Sequence, residues 1–139
     1  MGVRLVSSTQ PKRGSRFVFV PSRAGQTSWR LLAANNRPLA LATEHYSSSA
    51  SAKADARLLL SECARLVPSV AVDANGRWRW TVSLDGRPLA SSPNGYFRRL
   101  EVGRAMANFL TTLSTAAPAF DTPGWALRTA AGRRLAAQR

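Results

Sequence analysis

An internal repeat with a period of 50 residues constrains the fold of this chain more than any other sequence feature. The tetrapeptide Arg-Pro-Leu-Ala occupies residues 37–40 and recurs at residues 87–90, and Tyr46 recurs as Tyr96 in the same register. A fixed period of this length is typical of a repeated supersecondary unit. The sequence therefore predicts two tandem copies of one small unit.

The segment that follows each tyrosine predicts a helix. In both copies four apolar positions follow one another at steps of four, three and four residues, which marks one buried face of a helix. These positions are Ala52, Ala56, Leu59 and Cys63 in the first copy, and Val102, Met106, Phe109 and Leu113 in the second. We predict helices over residues 49–66 and 99–116, each ended by the proline that follows it.

The segment before each Arg-Pro-Leu-Ala predicts a β-hairpin. Residues 77–84 alternate strictly between polar and apolar, Asp85-Gly86 is a tight-turn signal, and residues 88–92 form the return strand. In the first copy, residues 28–34 and 38–44 flank a turn at Asn35-Asn36. The phase of this first strand stays open, because Trp29 matches Trp80 only if the first turn holds one extra residue.

Each copy also has a preceding strand, predicted over residues 16–21 and 69–74, and a last short strand is predicted over residues 119–122. The unit is therefore three strands and one helix, with short turns that favour antiparallel pairing. We predict an α+β fold, in which two tandem β-β-β-α repeats form one antiparallel sheet with two helices packed on one face.

These residues resemble the YegP-like repeat, a bacterial and archaeal domain of unknown function. The second copy is similar through Trp78, Trp80, Val82, Gly86 and Tyr96, followed by Ala-Met-Ala-Asn-Phe at residues 105–109, and the first copy is similar through Asn36, Tyr46 and Ser48. The first copy departs from the family at Asp55-Ala56, where the family favours Gly-Ile. The resemblance implies a single antiparallel sheet with exchanged terminal strands, and it implies no catalytic residues.

The resemblance covers roughly residues 15–122 and sets the expected domain organisation. A basic N-terminal arm spans residues 1–14, the first repeat residues 15–68, the second repeat residues 69–122, and an Ala/Arg-rich basic tail residues 123–139.

The charge balance favours an anionic partner. The chain has 20 Lys and Arg against 7 Asp and Glu, a net charge of +13. An excess of this size attracts polyanions, of which nucleic acid is the usual one. Residues 1–30 and 123–139 contain no acid at all, and basic arms of this kind commonly lie along a nucleic-acid backbone.

We therefore predict sequence-nonspecific binding of DNA or RNA through arginine-rich arms and the helix-free face of the sheet. The predicted contacts are Lys12, Arg13, Arg16, Arg128, Arg133 and Arg134 in and near the arms, and Arg30, Arg77 and Arg79 on the sheet. The competing interpretation of the sheet arginines is the ordinary outward polarity of half-exposed strands. The competing function is a protein-interaction module, such as a homodimer joined through sheet edges.

Trp78 and Trp80 have two interpretations. Aromatic side chains on a basic sheet can stack on nucleic-acid bases. However, both tryptophans alternate in phase with Val82 and Leu84, which favours a position in the core beneath the helices.

No residue pattern predicts catalysis, so we expect a protein that is not an enzyme and that has no cofactor, metal or small-molecule substrate. His45 is the single histidine, and Cys63 stands where the second copy has Leu113, which favours a core role. Asp55 and Glu62 are interpreted as a solvated helix flank, and no phosphate-binding glycine loop or nucleophile elbow is present.

The expected location is the cytoplasm, without a membrane partner. The single cysteine cannot form an internal disulfide, and the N-terminal residues contain no apolar run of signal-peptide length. No apolar stretch approaches the length that spans a bilayer.

Overall fold

The computed structural model of the protein describes residues 14–116 and 118–121. The elements in this part of the chain are β1 (Arg16–Pro21), β2 (Thr27–Leu32), β3 (Pro38–Ala42), α1 (Ser49–Ser61), β4 (Val67–Val72), β5 (Trp78–Leu84), β6 (Arg87–Ser91), α2 (Arg99–Thr115) and β7 (Ala119–Asp121). The strands form one sheet in the order β4-β5-β6-β3-β2-β1-β7. The fold is therefore α+β, with one seven-stranded sheet and two helices in the described residues.

The sheet is mixed rather than purely antiparallel. β7 runs parallel to β1, with Phe17 opposite Phe120, whereas the other neighbouring strands pair antiparallel. The prediction of an entirely antiparallel sheet is wrong at this pair. The reason is that β7 reaches β1 at the far edge of the sheet after a long connection through α2, and such crossovers permit parallel pairing.

The two halves of the described chain, residues 16–61 and residues 67–115, meet at the centre of the sheet. β3 of the first half pairs with β6 of the second half, with Leu41 opposite Ser91 and Ala42 opposite Ala90. β7 then follows the second half along the chain but pairs with the first strand of the first half. The halves are thus held together at both of these strand pairs.

The connections of the two hairpins differ in length by one residue. Asp85 and Gly86 both have positive φ, 50° and 83°, as a two-residue hairpin turn requires. Leu32 pairs with Pro38 in the first half, whereas Ser83 pairs with Pro88 in the second, so the first connection is one residue longer. With this extra residue, Trp29 of β2 corresponds to Trp80 of β5, and both side chains are buried.

The core lies between the sheet and the helices. Trp29 and Trp80 are both fully buried, which confirms the core interpretation for Trp80, and Trp78 is half-buried against the same cluster. Trp80 stacks on Phe109 of α2 at 4.7 Å between ring centroids. The helices add buried side chains from the predicted faces, namely Ala52, Ala56, Leu59, Val102, Phe109 and Leu113.

The helix boundaries were predicted well for α2 and less well for α1. α2 ends at Thr115, but α1 ends at Ser61, and Cys63 lies in the short 3-10 turn that follows. Pro68 is part of β4 rather than a residue beyond a helix end, because residues 67–72 pair with β5 and the chain must leave the helix earlier to reach that edge. Cys63 is half-buried against the core.

Candidate functional site

The acidic side chains of the described residues are engaged within the protein. Arg65 bonds Glu62 at 2.9 Å and Asp85 at 2.7 Å, so one guanidinium bridges a helix end and a hairpin turn. The Nε atom of Arg79 lies 2.8 Å from a carboxylate oxygen of Asp73. Arg87 lies 3.4 Å from a carboxylate oxygen of Glu44. These four acids are therefore bonded by three arginines, Arg65, Arg79 and Arg87.

A partly buried ion pair connects the two halves. The guanidinium of Arg87 at the start of β6 donates to both carboxylate oxygens of Asp55 in α1, at 2.8 and 2.9 Å. The hydroxyl of Tyr46 donates to the same carboxylate at 2.7 Å. Asp55 is only 8% exposed, so its assignment to a solvated helix flank is wrong. The helix face turns this position toward the neighbouring hairpin, where Arg87 compensates its charge.

The pKa values in this group follow from its contacts. The hydrogen bonds from the Arg87 guanidinium hold the pKa of Asp55 below its ordinary value, although burial acts in the opposite direction. Burial and the bond to the Asp55 carboxylate raise the pKa of the Tyr46 hydroxyl above its ordinary value. The group therefore contains an ionised carboxylate and a neutral phenol over the whole physiological range, which indicates a structural role.

Glu101 caps a helix, and it is the last acid to consider because the structure does not describe the side chain of Asp121. Glu101 accepts a hydrogen bond from the backbone N–H of Arg98 at 3.1 Å. The acids whose side chains are described therefore form ion pairs with three arginines or cap one helix. Eight arginines have no carboxylate within ion-pair distance in the described residues: Arg23, Arg30, Arg37, Arg57, Arg77, Arg98, Arg99 and Arg104.

Three of these arginines, and also Lys53, lie over aromatic rings. The guanidinium of Arg77 is 4.0 Å from the centroid of Phe97, and that of Arg99 is 5.9 Å from the centroid of Trp78. On the first half, Lys53 lies over Phe19 and Arg57 over Phe120. Contacts of this kind leave the positive charge available to an anion, because a ring carries no formal charge.

The structure places the predicted sheet contacts in different environments. Arg30 is exposed on the face opposite the buried Trp29, as predicted for an inward-pointing tryptophan. Arg79 shares the helix-free face but bonds Asp73 and also the carbonyl of Ser92. β3 and β6 separate the strands of Arg30 and Arg79, so these two strands lie about 14 Å apart at ordinary strand spacing.

The predicted arm contacts fall into two groups. Arg16 is 7% exposed, and its guanidinium donates to the carbonyl of Ala33 at 3.3 Å and to the side chain of Asn36. Its side chain therefore points into the protein rather than along an anionic polymer. The other arm contacts, which are Lys12, Arg13, Arg128, Arg133 and Arg134, lie outside the described residues.

Four arginines without a carboxylate partner in the described residues surround the start of α2, and of these only Arg77 was predicted as a contact. We call it the α2 entry patch and define it as Arg77, Phe97, Arg98, Arg99, Leu100 and Arg104. Phe97 is 73% exposed and Leu100 is 64% exposed, which is unusual for such large apolar side chains. Arg99, Leu100 and Arg104 line one open depression of about 450 Å³. The patch thus combines four guanidinium groups with two exposed apolar side chains.

The local backbone explains how the chain brings these residues together. Tyr96 and Trp78 exchange two backbone hydrogen bonds of 2.7 and 2.8 Å, which fixes the segment before α2 beside the start of β5. A Cβ atom on Gly95 would lie 2.6 Å from the Cβ of Arg77, so the approach requires glycine. Phe97 then meets Arg77 immediately outside this bridge.

A sequence signal for the patch was available. Leu100 lies outside the periodic set that predicts the buried face of α2, and Phe97 precedes the helix. Two large apolar residues that lie off the buried face and flank a pair of arginines are a sequence pattern from which an exposed apolar and basic patch could have been predicted. The sequence prediction instead placed the contacts on the arginines of the termini and of the sheet.

The described residues contain neither grouped metal ligands nor a helix that could span a membrane. Within residues 14–116 and 118–121, no three His, Cys, Asp or Glu side chains are grouped so that they could hold a metal ion. None of the helices in this part of the chain combines the length and the apolar character needed to cross a membrane. His45 is exposed at the end of the segment after β3.

Comparison with known proteins identifies the fold. No protein-family model and no curated protein matches the sequence. The solution NMR structure of YegP from E. coli, a protein of unknown function, matches with a TM-score of 0.62 at 18% identity, over 79% of this chain and 93% of that one. A UPF0339 protein from Shewanella oneidensis matches with a TM-score of 0.63 at 14% identity, over 78% of this chain and 92% of that one. The chain therefore has the fold of the YegP-like domain of unknown function, as its sequence resemblance implied.

Proposed function

We propose that this chain is a non-enzymatic basic protein that binds DNA or RNA without sequence specificity. The observation that carries the proposal is the distribution of its acids. Three arginines and one helix end take up the described carboxylates other than Asp121, so most of the remaining guanidinium groups face solvent or aromatic rings. The chain has a net charge of +13, and these exposed guanidinium groups would attract a polyanion.

The contacts in this proposal are revised from the sequence prediction. Arg30 and Arg77 keep the roles predicted for them, and Arg79 is a weaker candidate because Asp73 already neutralises it. Arg16 is left out, because its guanidinium is buried and bonded to Ala33 and Asn36. The basic arms would add further phosphate contacts, and the protein would act where nucleic acid is present, in the cytoplasm.

Binding to duplex and single-stranded nucleic acid across a series of salt concentrations tests the proposal. Displacement of counterions from phosphates makes the logarithm of the binding constant fall linearly with the logarithm of salt concentration, by about 0.9 per phosphate for duplex and about 0.7 for single strands. We expect a steep slope and little dependence on base sequence. Binding that is undetectable at low salt, or that does not change with salt, would remove the proposal.

We further propose that the two halves are tandem copies of one β-β-β-α unit. Trp29 and Trp80 occupy corresponding buried positions, and each lies two residues after a residue that bridges to the tyrosine before the helix. Aligned sequences of relatives test this idea. Residues 16–61 should align with residues 67–115 more closely than with any other register of the same chain.

A second candidate function is a homodimer joined through a sheet edge. β4 is an edge strand whose side chains carry no charge over Val67–Val72, and Val67 and Val72 are 62% and 51% exposed. Such an edge offers unpaired backbone groups to another strand, although Pro68 removes one donor. Light scattering before and after nuclease treatment distinguishes the candidates, because a stable dimer free of nucleic acid favours this second function.

A further inference from the structure

We propose that the α2 entry patch is a binding site for single-stranded nucleic acid, in which Phe97 stacks on a base and the arginines around it contact the phosphates. This proposal rests on the proposed function and adds to it a site and a strand preference. Arg77 is shared with the open face of the sheet, and the other residues of the site lie at the start of α2.

Phe97 is the residue that distinguishes this site from a general basic surface. Its side chain is 73% exposed, and the guanidinium of Arg77 lies 4.0 Å from its ring centroid. The arginine orients the ring and leaves most of its surface open. A base that stacks on the open part of the ring would complete an arrangement of arginine, phenylalanine and base, and aromatic stacking of this kind is tolerant of base identity.

The arginines provide the complementary charge. Arg98 and Arg104 have no carboxylate partner in the described residues, and Arg99 contacts only the ring of Trp78. Arg99, Leu100 and Arg104 line the same open depression, so two guanidinium groups flank an apolar floor. The nearby acid, Glu101, is directed to the backbone N–H of Arg98 and caps the helix. A phosphate that approaches the patch therefore meets four guanidinium groups and one carboxylate.

The combination favours a single strand over a duplex or a membrane. The bases of a duplex are stacked on one another inside the helix, so an exposed phenylalanine can reach only an unstacked base. A membrane-binding surface needs a long apolar stripe, whereas here Phe97 and Leu100 are the two large exposed apolar residues. The basic, aromatic and local character of the patch is that of a stacking site.

The first half supplies a natural reference for this site. The residues before and at the start of α1 that correspond to residues 97–100 are Ser47, Ser48, Ser49 and Ala50. The same backbone therefore enters a helix without an exposed aromatic residue and without arginine. Serine is the appropriate replacement in the second half, because this entrance already accommodates it.

The experiment compares the full chain with three variants in fluorescence anisotropy titrations of a labelled oligothymidylate and a labelled duplex. The stacking variant is Phe97→Ser, and the charge variant is the double substitution Arg99→Ser with Arg104→Ser. The matched control is Arg23→Ser with Arg37→Ser, which removes the same charge from exposed turns of the first half. Thermal unfolding verifies that each variant is folded.

We expect Phe97→Ser to weaken oligothymidylate binding about tenfold and to leave duplex binding within about twofold. The charge variant should lower the salt slope for the single strand by about 1.4, the value for two phosphate contacts. The control should change the single-strand affinity much less than the charge variant. A Phe97→Trp variant should retain binding, and its fluorescence should be quenched by the oligonucleotide.

The outcomes separate the two proposals. If the unaltered chain binds neither nucleic acid, the proposed function fails and this inference fails with it. If the unaltered chain binds but the patch variants match the control, only this inference is overturned. Equal losses on duplex and single strand would also overturn it. Binding of the patch to anionic phospholipid vesicles or to a second copy of the chain, without an effect on oligothymidylate, would assign the patch to a different partner.

Discussion

The entrances to the two helices differ although they are built on the same backbone plan. Before each helix a tyrosine pairs with an inner strand, Tyr46 with Thr27 and Tyr96 with Trp78. α1 then begins after a serine N-cap, with Ser48 accepting from the backbone N–H of Ser51 at 3.1 Å. α2 begins after Arg98 and is surrounded by the exposed side chains of the α2 entry patch.

The opposite asymmetry appears one turn further along each helix. Asp55 of α1 is buried against Arg87 and Tyr46, whereas the corresponding residue of α2 is Ala105. Arg87 belongs to the second half, so the first helix is joined to the hairpin of the other half. The first half therefore contributes the buried carboxylate of the connection between the halves, and the second half contributes the exposed α2 entry patch, for which we propose a nucleic-acid partner.

The two halves share one core if they unfold together. Truncation of core side chains tests this, and it should change the free energy of unfolding more than any other substitution proposed here. Leu59→Ala and Phe109→Ala empty matching, fully buried positions of the two helices. We expect losses of about 2–5 kcal/mol and about 3–5 kcal/mol in the free energy of unfolding. Each variant should unfold in one cooperative transition in urea, followed by both fluorescence and circular dichroism. Two separated transitions would show that the halves are independent.

The ion pair between the halves should have the next largest effect. Asp55→Asn removes the charge that compensates Arg87, and we expect a loss of about 1.5–3 kcal/mol, the range for hydrogen bonds to charged groups. The loss stays below that of a fully buried pair because the Arg87 side chain is 46% exposed. Glu62→Gln is the control, since its partner Arg65 is 56% exposed and surface pairs contribute about 1 kcal/mol or less. Equal losses in urea denaturation would contradict the assigned role of Asp55.

The same pair predicts how stability depends on pH. The folded pKa of Asp55 is lower than the unfolded value near 3.8, so its contribution is present above that pH and is lost as the pH falls through the lowered pKa. The raised pKa of Tyr46 has the opposite sense, and stability should fall as the pH rises above 10. Asp55→Asn should flatten the acid limb of urea midpoints measured against pH. An unchanged acid limb would locate the acid sensitivity in other carboxylates, such as Asp73.

Most of the strands, turns and helices were predicted from the sequence, because these elements depend on periodic residue patterns. Strict alternation placed Trp80 in the core, the Asp85-Gly86 turn was recognised from residue type, and the buried face of α2 followed from helical spacing. The parallel pairing of β7 with β1 could not be predicted, because three residues carry no signal for the edge at which they pair.

The candidate site was predicted poorly for a different reason. Net charge shows that arginines exceed acids, but it does not show which arginines are neutralised. That depends on long-range pairs such as Arg87 with Asp55, which are 32 residues apart. Arg16 and Arg79 were selected as phosphate contacts and proved to be bonded within the protein, whereas Arg98 and Arg99 were passed over. Local patterns predict burial, and only the fold shows the pairing of charges.

The smallest expected effect concerns the first residue at the entrance to α2, where stability and binding should change in opposite directions. Arginine is a poor N-cap because its side chain has no acceptor for the free backbone N–H groups of the first turn. Arg98→Ser would create a Ser-x-x-Glu capping box with Glu101, which already bonds the N-cap backbone, and should raise the free energy of unfolding by about 0.5–1 kcal/mol. The reciprocal change, Ser48→Arg, should lower it by a similar amount, because the bond to Ser51 is lost. If Arg98→Ser gains stability and weakens oligothymidylate binding, the arginine is kept at this entrance for its charge. A gain in stability with unchanged binding would show that Arg98 contributes nothing to the proposed site.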